Sequence, residues 1–60
     1  MTMDLIHEQY YLMRLIDGLK EFMDSDEFNK LTGPEKCAIT YQLEHMNGYL
    51  GMLNIRISML

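Results

Sequence analysis

The chain has 60 residues and a formal net charge of −4, a size at which folding removes only about 60% of the exposed surface from water, so it is one domain at most and self-association is the natural remedy. Cys37 is the only cysteine, which excludes an internal disulfide and fits a reducing, cytoplasmic setting, and no ligand cluster suits a structural metal. The acidic balance and the scatter of Arg14, Lys20, Lys30, Lys36 and Arg56 argue against a DNA or RNA binder held by a basic stripe, while the longest uncharged stretch, Met46 to Ile55, is too short and too polar to span a bilayer.

Thr2 is a candidate N-cap, and from there to about residue 24 apolar residues recur at Leu5, Leu12, Leu15, Ile16, Leu19, Phe22 and Met23. The spacing predicts a helix. Ile6, Tyr10, Tyr11 and Met13 widen its apolar side beyond what one partner helix covers. Asp24-Ser25-Asp26 interrupts the pattern with side chains that bond to local backbone in preference to a helix interior. Residues 26–31 are expected to make one further helical turn, with Phe28 and Leu31 closing the end of a bundle. Thr32-Gly33-Pro34-Glu35 then has the form of a capping box with proline in the first turn, so a second helix is predicted to begin there.

That helix is predicted over about residues 33–57, roughly 36 Å at 1.5 Å per residue. From Ile39 onward, Ile39, Leu43, Met46, Leu50, Leu53, Ile57 and Leu60 follow an unbroken 4-3 alternation, the signature of a coiled-coil-type seam. Two helices with a connector of roughly eight residues make an antiparallel hairpin the default. The expected fold is therefore all-α, a hairpin that assembles into a helical-bundle homo-oligomer, with Ile39, Leu43, Met46, Leu50, Leu53 and Ile57 at the interface. A stripe of Cys37, Thr40, Glu44, Asn47, Gly51, Asn54 and Ser58 is small and nearly uncharged, unlike an ordinary solvated face. Gly48 and Gly51 each cost about 1 kcal/mol against Ala within a helix, so both are expected where another backbone comes close.

Catalytic chemistry finds no foothold. His7-Glu8 opens like a helical zinc-protease motif, but Tyr11 stands where the second histidine belongs. His7 and His45 read as polar or boundary residues, with a pH-sensitive subunit contact open to His45. Cys37 lies near a helix N-terminus, but it has neither a base nor an oxyanion site in reach. The glycines are isolated, so no phosphate loop exists. We expect no enzyme, no metal and no cofactor. Tyr10, Tyr11, Tyr41 and Tyr49 offer flat rings with hydroxyls, suited to an interface or to stacking on a base. Tyr49 precedes Arg56 by two helical turns, so a ring and a cation can line one groove.

Pro34-Glu35, Gln42-Leu43-Glu44, Met46, Tyr49-Leu50, Leu53 and Arg56-Ile57 resemble the C-terminal hairpin helix of small helical proteins of crAss-like and related phages, which carry a Phe-x-x-Leu turn like Phe28 to Leu31. The order Leu43-Glu44, Tyr49, Arg56 is also similar to the hairpin domain of phage sponges that sequester the cyclic nucleotides of CBASS and Thoeris immunity. Those sponges carry a Tyr and Lys segment ahead of the hairpin that this chain lacks, and a basic residue where Pro34 stands, with Lys36 nearby. The resemblance implies a phage-encoded oligomer of hairpins, acting in the cytoplasm of an infected bacterium, that binds a cyclic di- or trinucleotide between subunits. Tyr10, Tyr11 and Tyr49 would stack on bases, Lys36 and Arg56 would meet phosphates, and Thr40 would donate a hydrogen bond. Two other roles fit the same residues: an oligomeric module that blocks or adapts a host or viral protein without a small ligand, and a structural subunit of the virion.

Overall fold

A computed structural model describes residues 2–60, with the side chains of Thr2 and Met3 left out of the description. Three helices follow in order, α1 Thr2–Met23, α2 Asp26–Asn29 and α3 Gly33–Ser58, and no strand occurs among the described residues. The helix boundaries agree with the apolar spacing to within one or two residues; the capping role of the Thr2 side chain lies outside what is described. α2 is shorter than expected and ends at Asn29, leaving Leu31 in the bend that follows.

The breaks arise where side chains compete with the helix for backbone groups. Ser25 caps α2, its hydroxyl accepting from the Phe28 amide at 3.3 Å while donating to the Phe22 carbonyl at 2.5 Å. One hydroxyl thus ties the end of α1 to the start of α2. Phe22 and Phe28, one from each element, meet edge to face with ring centroids 6.0 Å apart, an arrangement the ring quadrupoles favour. At the head of α3 the Glu35 amide donates to Thr32 Oγ1 at 3.2 Å and the Thr32 amide donates to Glu35 Oε1 at 3.0 Å, the full capping box with Pro34 in the first turn.

The Thr32 amide and hydroxyl, both donating to the Glu35 carboxylate, hold its pKa below the ordinary 4.5. A carboxyl lowered by folding adds stability above its unfolded pKa, and that stability disappears as the pH falls through the lower folded value. Acidification from about pH 5 downward should therefore loosen the first turn of α3 in the wild type. Circular dichroism titration should find that part of the acid response absent in Glu35→Gln.

α1 and α3 pack on each other, and the Gln9 amide donating to Asn54 Oδ1 at 2.6 Å pins the beginning of α1 to the end of α3. The pair is antiparallel. Leu12, Ile16 and Leu53 are buried between them, and Leu5, Leu43, Met46 and Leu50 pack against that cluster. Ile39, Leu43, Met46, Leu50 and Ile57 stay half-buried. Leu53, expected under a second copy, is covered within its own chain and has 0% exposure. The 4-3 seam is thus occupied first by α1, and the half-buried members keep an edge outward because one neighbouring helix shields only part of each side chain.

The molecule measures 43 × 15 × 13 Å, with a radius of gyration of 13.9 Å against about 10 Å for a compact chain of this length. Its accessible surface is 4652 Å², where a compact monomer of this mass exposes about 4,100 Å². It is a single layer of two helices, and layers of this kind acquire a full core by packing on a second one. Within the chain, no close backbone approach occurs at Gly48 or Gly51: a β-carbon at either would meet nothing within 4 Å. Gly51→Ala should therefore raise stability by about 1 kcal/mol, the helix-propensity gain. Chemical unfolding measures this, and a loss instead of a gain would mean that another backbone lies against Gly51.

Candidate functional site

A simple register places the outward rings and cations. Tyr11 immediately precedes Leu12, Tyr49 precedes Leu50 and Arg56 precedes Ile57, so each is turned about 100° from a seam residue in the same sense. In antiparallel helices the same sense of rotation leads to the same side of the pair. The Gln9–Asn54 bond fixes the axial level: Tyr11 stands level with Met52, between Tyr49 and Arg56 and within about 6 Å of each along the axis. Tyr11 is 66% and Tyr49 45% exposed, and Arg56 is exposed beside them. Two rings and one guanidinium share a face of the hairpin, together with the Glu8 carboxylate three residues before Tyr11.

The other candidate residues are placed elsewhere. Tyr10, one further step around α1, faces away from α3, where Arg14 Nη1 donates to its hydroxyl at 3.2 Å and the Arg14 guanidinium carbon lies 5.8 Å from its ring centroid. Because Gly18 has no side chain, a hollow of about 440 Å³ opens there, lined by Tyr10, Met13, Arg14, Asp17, Gly18 and Glu21. Asp17 and Glu21 outweigh the one guanidinium, so the hollow does not attract a polyanion. The spacing of four between Tyr10 and Arg14 is a side-chain neighbour spacing on a helix. The pair is therefore legible in the sequence, as is the longer Tyr49–Arg56 interval.

Lys36 is half-buried with its ammonium 5.9 Å from the Phe28 ring centroid. The Thr40 hydroxyl donates to the Lys36 carbonyl at 2.9 Å, so its proton is already engaged. Lys36 also lies 20 residues before Arg56 on one continuous helix, about 30 Å away. One copy therefore cannot bring Lys36 and Arg56 to a single small ligand. Thr40 follows Ile39 where Tyr49 precedes Leu50, so it projects on the opposite face from Tyr49. Cys37, His7 and His45 are exposed, and among the described residues no group of three or more His, Cys, Asp or Glu is placed to hold a metal ion. No described helix is long and apolar enough to cross a membrane.

These features define a class: an elongated, all-helical hairpin whose aromatic and cationic side chains sit on its open faces instead of within a cavity. The sequence matches the family model described as Sequestin over residues 2–59, and the chain belongs to that family. Neither a curated protein nor a solved structure matches it.

Proposed function

We propose that this chain is a phage-encoded anti-defence protein that sequesters a cyclic nucleotide immune signal, acting in the bacterial cytoplasm and holding the ligand where copies of a homo-oligomer meet. Membership of a family named for sequestration supports the general role. The observation that carries the ligand class is the shared face of Tyr11, Tyr49 and Arg56. Flat rings stack on any base, and a guanidinium offers paired donors to a phosphate. A shallow face on one thin hairpin encloses little of a ligand, whereas sites of useful affinity bury most of it, so a neighbouring copy is needed to close the site. Lys36 and Thr40 enter such a site only from that neighbour.

Isothermal titration against a panel of cyclic di- and trinucleotides tests the proposal. We expect saturable binding of at least one member with fewer ligands than chains, because copies share each site. No heat across the panel at micromolar protein would remove the reading. A second reading, an oligomeric interaction module directed at a host or viral protein, draws on the exposed apolar residues Tyr41, Met52, Ile55 and Met59, and is favoured by co-purification of one stoichiometric protein with no retained nucleotide.

A further inference from the structure

α3 carries a second apolar seam on the side turned away from α1. Ala38, Tyr41, His45, Gly48, Met52, Ile55 and Met59 follow a 3-4-3-4-3-4 spacing, all are exposed, and none is formally charged. This run is set roughly 180° around the helix from the seam of Leu43, Met46, Leu50 and Leu53. The outer side of α1, by contrast, carries His7, Arg14, Asp17 and Glu21. Helices that are apolar on opposite sides sit between two neighbours. α1 supplies one neighbour of α3, and the structure leaves the second place open.

We propose that the second neighbour is α3 of another copy, docked antiparallel about a two-fold axis passing at Gly48. The seam is its own complement about that point to within half a residue. Reversing it sets Tyr41 against Ile55, His45 against Met52 and Ala38 against Met59, so every bulky ring or long chain faces a different, compatible partner. Gly48 falls on the axis, where two helices approach most closely and a missing side chain is useful; nothing occupies the space within 4 Å of a β-carbon there. A parallel pairing would instead set Tyr41 on Tyr41 and His45 on His45, and would align the helix dipoles unfavourably. Tyr41, Met52, Ile55 and Met59 are 61%, 55%, 48% and 73% exposed. At about 200 Å² per side chain they offer roughly 500 Å² per copy and 1,000 Å² per pair, the scale at which a specific interface begins. The inference specifies the assembly invoked for ligand sequestration, and it stands or falls without reference to any nucleotide.

Sedimentation velocity at micromolar concentration should find the wild type as a dimer or an even-numbered assembly of dimers, and Gly48→Arg should weaken association by about tenfold or more, since an arginine on the axis meets its own copy. Because Gly48 is exposed and unopposed within the chain, Gly48→Arg keeps its helical circular dichroism. In a Cys37→Ser background, Tyr41→Cys combined with Ile55→Cys should oxidise to a covalent dimer, whereas Tyr41→Cys alone should not; positions 41 and 55 of one chain are about 21 Å apart and cannot pair internally. A monomeric wild type, a Gly48→Arg variant that associates normally, or crosslinking by Tyr41→Cys alone would each overturn the proposal. Normal assembly with silent calorimetry would instead remove the nucleotide reading and leave this one intact.

Discussion

Leu53→Asp will abolish the cooperative fold. Leu53 has no exposed surface and lies against Leu12 and Ile16, the only other buried residues among those described. A chain of 60 residues has roughly 3–9 kcal/mol of net stability to lose. Truncation to Ala at such a site costs about 2–5 kcal/mol through lost transfer energy and the cavity left behind, and a carboxylate there has no partner and no water. Leu53→Ala is therefore expected to fold with a much lower denaturation midpoint, and Leu53→Asp to give a coil spectrum by circular dichroism at 25 °C. Leu50→Asp, at a half-buried position, should be destabilised less, because its side chain can turn its charge toward solvent. A Leu53→Asp variant with wild-type helicity would mean that the packing of α1 on α3 is not what holds the chain together.

That prediction rests on features visible in the sequence. The 4-3 alternation from Ile39 to Leu60 located the seam, Thr32 to Glu35 located the start of α3, and Asp24 and Ser25 located the break, because each signal is local and has one physical meaning. Which seam residue would be sealed was not legible. Leu50 and Leu53 look alike in sequence, and the difference comes from the packing of α1 on α3, which buries Leu53 with Leu12 and Ile16 and leaves Leu50 at their edge. The outer seam of α3 was harder to see for another reason: Tyr41, His45 and Gly48 are not a uniform apolar set, so their periodicity emerges only once α1 is known to occupy the opposite side. The site followed the same rule. Tyr49 and Arg56 are joined by helix periodicity alone, whereas adding Tyr11 needs the antiparallel register that the Gln9–Asn54 bond provides. Lys36 illustrates the reverse. Its distance from Arg56 along α3 could be counted in residues, and grouping the two therefore always presupposed more than one copy.

The separation of these residues gives the nucleotide reading its sharpest expected result. If the face of Tyr11, Tyr49 and Arg56 holds the ligand, Tyr49→Ala removes a stacking platform worth about 1–3 kcal/mol per base, and Arg56→Ala removes charge-assisted bonds of about 1.5–3 kcal/mol. Each should weaken binding by roughly tenfold to a hundredfold, with helicity unchanged because both side chains are substantially exposed. Arg14→Ala serves as the internal comparison. It removes a guanidinium that lies against the Tyr10 ring, in the hollow where Asp17 and Glu21 offset its charge, and should leave the titration within about threefold of wild type. Calorimetry of the three variants against the best ligand of the panel reads the pattern directly. Equal losses for Arg14→Ala and Arg56→Ala would show that the ligand responds to total positive charge, and a loss confined to Arg14→Ala would move the site to the outer side of α1. Loss at Tyr49 and Arg56 alone is the outcome that a geometric site requires, because those two side chains share the face that Tyr11 completes from α1.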